Sequence, residues 1–403
     1  MPAPASDAPT AEWTGLTVRA MQRLRRFRFD RPQKFAALLL LLLLGQCTWQ
    51  IAHAPLTDTD YQYARCGREM WERPSPIAGY FTTCGNIHDG VLAYRMAGLP
   101  LTIERLLAGQ SSDTSTWEMR HELGYVRLLL RLPFTFAALL LGGALWWVTR
   151  RLFGNMGGFV ALSLYCVSPA IVAAGSRPNA EITTALGIFA AIYTAIGVAH
   201  AMQGPRRKWR PRIVLLAAGL GLVAASHSAA LLLTIPLAGL FMLYLAERNR
   251  TAVPMVIVAG TVGAFLGLFA CYGFRPDALS YFFRSGAGRL GWDTMPARTH
   301  LFSLGDAGMA MALVAAVLLY LATRRSRYFG NTTPLLIALC LLPLITTGTP
   351  GQPWLWALPF LLTFVGGVFA DALETKHGRI FRWAVVAMVA LQAVLTTAFG
   401  FYP

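Results

Sequence analysis

The sequence predicts an all-α, polytopic membrane protein, and three observations carry that expectation. Eleven apolar stretches follow one another through the 403 residues. The composition is 55% hydrophobic and only 13% charged, too apolar for an ordinary soluble protein. The arginines also choose sides. The clusters Arg23–Arg28, Arg150–Arg151, Arg206–Arg212, Arg248–Arg250, Arg324–Arg327 and Lys376–Arg382 fall at every second connector. Basic residues in short loops mark the cytoplasmic face. The alternation therefore predicts a multi-pass protein of the plasma (inner) membrane with its N-terminus inside and, for an odd number of spans, its C-terminus outside.

The expected spans are 35–54, 129–149, 157–175, 180–201, 212–226, 229–246, 253–274, 306–323, 334–349, 353–371 and 383–401. Each matches a bilayer-crossing helix in length or falls somewhat short of it. The pair 212–226 and 229–246 is the shortest, and a hairpin that does not fully cross is the alternative there. Residues 1–34 form a basic cytoplasmic tail and 35–403 a single transmembrane domain. The stretch 19–54 resembles a signal peptide in its basic flank, its Leu38–Leu44 run and Ala52-His53-Ala54. Its length favours an uncleaved anchor. The net charge of +16 fits orientation and attraction to anionic membrane lipids. No basic-aromatic pattern of a nucleic-acid module accompanies it.

Two connectors are too long to be mere links. The first outer loop, 55–128, carries the mixed polar and apolar segments Tyr61–Trp71 and Leu101–Leu107, which suit helices lying on the membrane surface. The second, 275–305, holds Arg275, Arg284, Arg289, Arg298, Asp277, Asp293 and His300. No tandem repeat and no strand pattern is evident. Cys47, Cys166, Cys271 and Cys340 fall within spans and read as small buried apolar residues. Cys66 and Cys84 share the first outer loop, where a disulfide and two unpaired thiols are both open.

By this topology several outer turns present polar groups near one level of the membrane. Asp58 and Asp60 follow the first span, Arg177 and Glu181 sit between the third and fourth, and His227 occupies the next outer turn. Gln352 and Trp354 precede the tenth span. Each has a structural alternative. The two aspartates are cheaply solvated at an interface. Asn179 suits a helix cap with Glu181 in the first turn, where an anion complements the macrodipole. His227 suits a hydrogen-bonded core position, and single arginines suit lipid phosphates. The functional alternative joins them: a carboxylate takes a proton from a hydroxyl nucleophile while arginines hold a phosphate leaving group.

The order of elements resembles the integral-membrane GT-C glycosyltransferases, and more narrowly the branch of protein O-mannosyltransferases and the lipid A aminoarabinose transferase. Arg131-Leu-Pro-Phe, Val148-Thr-Arg-Arg-Leu-Phe-Gly154, Ser168-Pro and Ser176-Arg-Pro-Asn-Ala-Glu181 carry the resemblance. Asp58-Thr-Asp60-Tyr61 with Gly67-Arg-Glu-Met70, and the turn Ser226-His-Ser-Ala229, add to it. It is strongest over 55–240. Three positions depart from the family's pattern: Glu181 stands for an Asp, His88-Asp-Gly-Val-Leu92 for a His-Pro-Pro-Leu element, and Gln352-Pro-Trp-Leu355 for an Arg/His-Tyr-Leu.

The resemblance implies a GT-C-type fold of about 11 transmembrane helices with a large first extracytoplasmic loop carrying surface helices. It also implies inverting transfer of a sugar from a polyprenyl-phosphate donor to an acceptor hydroxyl on the extracytoplasmic side, the acceptor being a lipid, a glycan or a protein. Asp58 or Asp60 would be the base, and Glu181 would orient the acceptor or a bound cation. Arg177, Arg284 and Arg289 are the candidates for the lipid phosphate, and His88 and His227 are further site candidates. A divalent cation shared by Asp58, Asp60 and Glu181 is left open, because no ligand spacing demands one. The competing classes are a lipid or small-solute transporter and a non-catalytic membrane scaffold.

Overall fold

The computed structural model describes residues 31–72, 90–108, 123–204, 209–276, 289–301, 303–323, 328–347, 352–375 and 378–400. Eight of the described helices are long and apolar enough to cross a membrane. The first span is α1 (Arg31–His53), as its Leu-rich run requires. Two helices of the first outer loop follow, α2 (Asp58–Glu72) and α3 (Val91–Ala108). The expected surface segments at Tyr61–Trp71 and Leu101–Leu107 lie inside them.

The next stretch, α4 (Leu123–Cys166), is two helices that meet at Gly154, whose φ of 82° and ψ of −179° only glycine adopts without strain; its halves match two of the expected spans and fold back on each other, with Tyr165 Oη donating to Ala138 O at 2.7 Å. It breaks before Ser168-Pro169, and α5 (Pro169–Gly175) completes the stretch. Then come α6 (Glu181–Ala201), α7 (Arg210–Ser226), a 3₁₀ turn at Ser228–Ala230, α8 (Leu231–Leu245) and α9 (Val253–Cys271). The remainder holds α10 (Met295–Leu301), α11 (Ala307–Thr323), α12 (Tyr328–Leu341), α13 (Trp354–Leu373) and α14 (Gly378–Leu395), which ends in a π turn at Thr396–Gly400.

Two expectations are corrected. The 334–349 stretch is not helical to its end: it passes from α12 into β2 (Leu344–Thr347). That strand pairs antiparallel with β1 (Arg289–Trp292), in the register Arg289↔Thr347 to Trp292↔Leu344. Four-residue strands are too short for a period-2 pattern to stand out from apolar background. The ribbon lies against the Ser228–Ala230 turn, so the second outer loop returns to the same end of the bundle as His227.

At the centre stands α13, buried at every side chain from Trp354 to Ala370. It packs on α4, α6, α11 and α12. A helix apolar all round is stable only when surrounded in this way. At the opposite extreme, α14 buries only Gly378 and Gln392. Gln392 fastens it: its Oε1 accepts from Met309 N at 2.9 Å, and its Nε2 donates to Gly305 O at 2.7 Å, which satisfies backbone groups around the start of α11.

The pair α2–α3 is pinned by a backbone-to-backbone crossing. A Cβ at Gly67 would lie 2.2 Å from Tyr94 O, and one at Gly98 would lie 2.1 Å from Gly67 C, so nothing larger than glycine fits either position. Glu72 closes the far end of the pair. It accepts from Arg68 Nε at 3.0 Å, from Arg105 Nη1 at 2.8 Å and from Thr102 Oγ1 at 3.3 Å. Cys66, on the buried face of α2, is disulfide-bonded, whereas Cys47, Cys166, Cys271 and Cys340 are free. Cys84 lies outside the described residues.

Candidate functional site

Four separate turns meet at one end of the bundle. The first is the junction of α1 and α2. Asp60 is 1% exposed, and its Oδ2 accepts from Arg131 Nη2 at 2.6 Å and from Thr57 N and Oγ1, each at 2.9 Å. The Arg131 side chain is fully buried in α4 and also donates to Ala54 O (3.1 Å) and Pro55 O (2.8 Å), carbonyls at the end of α1. A buried charge needs such a partner set, since either ion alone would carry an unpaid desolvation penalty of several kcal/mol. Among the described residues every hydrogen bond to Asp60 falls on Oδ2. Asp58, at the first position of α2, is exposed and makes no hydrogen bond or ion pair with a described residue.

The second turn joins α5 to α6. Ser176 Oγ donates to Gln50 Oε1 at 2.8 Å, tying the turn to α1. Asn179 accepts from Ile182 N at 3.0 Å and donates to Ala174 O at 2.6 Å, the capping role that its position before α6 suggests. Glu181, at the head of α6, is 6% exposed and accepts a hydrogen bond from Trp356 Nε1 of the central helix. Arg177 is exposed, and its guanidinium makes no hydrogen bond or ion pair with a described residue.

The third turn holds His227, 3% exposed, with its ring edge-on to Trp356 at 5.1 Å. Burial pushes its imidazole down to about 4. Trp356 thus joins Glu181 to His227. The fourth segment is the start of α3: a Cβ at Gly90 (φ 73°) would lie 3.2 Å from Ala180 Cβ and 3.6 Å from Ser226 O. That close approach brings the first outer loop onto the second and third turns.

Of the residues singled out from sequence, Asp60, Glu181 and His227 are buried at this end, while Asp58 and Arg177 are exposed beside them. Arg289 lies in β1, with only its backbone described, and His88 and Arg284 lie outside the described residues. Among the described residues no group of three or more His, Cys, Asp or Glu side chains is placed to hold a metal ion. Sequence reasoning used Arg131 only as part of a motif, not as a site residue, and did not single out Trp356. Arg131 carried a signal, being an arginine inside an apolar helix. Trp356 carried none, because a tryptophan in a buried helix is an ordinary core residue.

Residues 121–271 match the family model described as dolichyl-phosphate-mannose-protein mannosyltransferase. A search of the curated proteins finds no match. Among solved structures, ArnT from Cupriavidus metallidurans in the apo state superposes with a TM-score of 0.57 at 15% identity, over 92% of this chain and 74% of that one. The same protein bound to undecaprenyl phosphate gives 0.57 at 14% identity, over 92% and 76%. The Archaeoglobus fulgidus oligosaccharyltransferase gives 0.54 at 12% identity, covering 93% of this chain and 56% of that chain. The chain resembles the mannosyltransferase and ArnT branch, and it is a multi-pass helical membrane protein with the GT-C fold.

Proposed function

We propose that this protein is a glycosyltransferase that moves a sugar from a polyprenyl-phosphate donor to an acceptor hydroxyl, at an active site on the extracytoplasmic side of the membrane. The observation that carries the reading is the convergence of Asp58–Asp60, Arg177–Glu181 and His227 at one end of a GT-C bundle. One of its structural neighbours, ArnT, is bound to undecaprenyl phosphate. By the alternation of spans the arginine-rich connectors belong to the opposite side from these turns, which supports an extracytoplasmic site.

Asp58 is the proton acceptor in this scheme, because its carboxylate is exposed and unoccupied at the head of α2. General base help of this kind contributes about 10²–10⁴-fold in rate. Asp60 acts as a positioning residue: locked to Arg131 and Thr57, it fixes where α2 begins. The acceptor oxygen attacks the sugar carbon, the bond from that carbon to the phosphate oxygen breaks, and the phosphate leaves with its electron pair. Inversion at the carbon follows from a single displacement. Arg177, an exposed guanidinium with no protein partner described, is placed to bind the departing phosphate. An apolar groove of about 360 Å³ between α8 and α9 begins at Ser228, beside His227. Its Leu231, Ile235, Pro236 and Phe265 walls suit an isoprenoid chain.

Single variants separate the two aspartates. With a panel of labelled polyprenyl-phosphate sugars, Asp58→Asn should lose transfer by 10²-fold or more with thermal stability unchanged. Asp60→Asn should lose stability as well. Equal transfer by wild type and Asp58→Asn would remove Asp58 as the base.

A further inference from the structure

Arg95, in the second turn of α3, is part-buried and held from three sides. Its Nε donates to Cys271 O, the last carbonyl of α9. Its guanidinium lies over the Trp71 ring of α2 at 4.8 Å, and Trp71 Nε1 donates back to Arg95 O at 2.8 Å. In the turn after α9, a Cβ at Gly273 (φ 68°) would lie 3.4 Å from Arg95 Nη2. Part of this arrangement is a helix cap, since a cation suits the carbonyl end of α9. The cap uses Nε alone. The forked Nη1 and Nη2 donors make no hydrogen bond or ion pair with a described residue.

The fork stands where the apolar groove between α8 and α9 reaches its outer end. Leu268 is the last residue of α9 to line that groove, and Cys271 follows it within one helical turn. Ser228 lines the same end from the turn after α7. Further down, Thr261 and Phe265 also line a second apolar groove, of about 610 Å³, which continues over Val258, Val262 and Leu266. One long chain therefore has a continuous apolar path along α9. The start of α3 leads back to the candidate site, because Gly90 approaches Ala180 and Ser226. Arg95 comes about 7.5 Å of helix after Gly90.

We propose that Arg95 binds the phosphate of the donor lipid at the outer mouth of the α8–α9 groove, sharing that anion with Arg177. The proposal rests on the glycosyltransferase reading and deepens it by setting the lipid's head against its chain. A planar fork with its face on an indole and one edge on a carbonyl is preset to grip two phosphate oxygens. A single apolar path ending in such a cation fits an amphiphile with one long chain and an anionic head. A bilayer phospholipid offers the same phosphate on two chains, and the experiment separates the two sources.

Binding is measured in phosphatidylcholine nanodiscs for wild type, Arg95→Gln and Arg95→Lys, with undecaprenyl phosphate and uncharged undecaprenol as probes. Loss of charge-assisted hydrogen bonds predicts a fall of about 10–100-fold in the affinity of Arg95→Gln for undecaprenyl phosphate. Undecaprenol, held by the groove alone, should bind all three proteins alike, which also shows that the contact of α3 with α9 survives. Arg95→Lys should recover part of the loss, because it keeps the charge without the fork. Unchanged affinity of Arg95→Gln for undecaprenyl phosphate, or an equal loss for both probes, would overturn the proposal. A further arm adds phosphatidylglycerol. Displacement of undecaprenyl phosphate from wild type by that lipid, in a manner that needs Arg95, would assign the arginine to a bilayer headgroup and overturn the proposal too. Donor turnover by the same proteins judges the transferase reading separately. Arg95-dependent binding without turnover would remove that reading and leave the phosphate site, and turnover with Arg95-independent binding would do the reverse.

Discussion

Replacing Arg131 by Met removes the charge that lets Asp60 remain in the interior. The two side chains are 0% and 1% exposed and meet at 2.6 Å. Breaking a buried pair from one side costs about 3–5 kcal/mol, because the surviving ion is left without compensation. The carbonyls of Ala54 and Pro55 lose their donors in the same step, which places the expected cost toward the upper end of that range. Asp60→Asn alone leaves a guanidinium that still reaches both carbonyls, so its cost should be smaller, about 2–3 kcal/mol. In the double variant neither unpaired ion remains. It should be more stable than the sum of the singles by about 2–3 kcal/mol, a coupling within the range of contacting residues. The assay is reversible unfolding of the purified protein in mixed micelles for the four members of the cycle. Single costs that add to within about 0.5 kcal/mol would refute the pairing.

Other parts of the molecule make equally definite predictions. Gly67→Ala forces α2 from α3 and should destabilise by about 1–3 kcal/mol, read as a fall in melting temperature. Gln392→Leu strips partners from Met309 N and Gly305 O. It should cost about 1–3 kcal/mol and speed amide exchange at the start of α11. His227 carries a pH signature. Burial lowers its folded value to about 4 from an ordinary 6.5, so the unfolded chain binds the extra proton between those limits. Stability from this residue is fully present above pH ~6.5 and is lost as pH falls toward 4, by about 3 kcal/mol in all. Melting curves of wild type and His227→Gln should converge or cross over that window; parallel curves would contradict it.

Much of the fold was legible because membrane insertion writes a coarse code. Runs of apolar residues marked the helices, and the arginine clusters grouped the remaining connectors at one end. The two spans read over 129–149 and 157–175 are two helices that meet at Gly154 and fold back on each other, with Tyr165 reaching Ala138 O, and the break before Pro169 is the one a proline announces. The same code is blind to other interruptions. The β1–β2 ribbon hides in sequence because Leu344–Thr347 is as apolar as the helix before it. At the site, the acids announced themselves by standing beside apolar spans. Their partners did not. Arg131 was recognisable as part of a motif and not as the counter-ion of Asp60, since the 71-residue separation is closed only by tertiary packing. Trp356 looks like a core aromatic until Glu181 and His227 are in place beside it.

The central claim is that the acidic end of the bundle releases a sugar from a lipid phosphate. Its most direct measurement is release of radiolabelled sugar from a broad panel of polyprenyl-phosphate donors by purified wild type and the Asp58→Asn/Asp60→Asn double variant, matched for folded protein. The account predicts turnover of at least one donor by wild type and a loss of 10²-fold or more in the variant. Equal turnover by both proteins would contradict it.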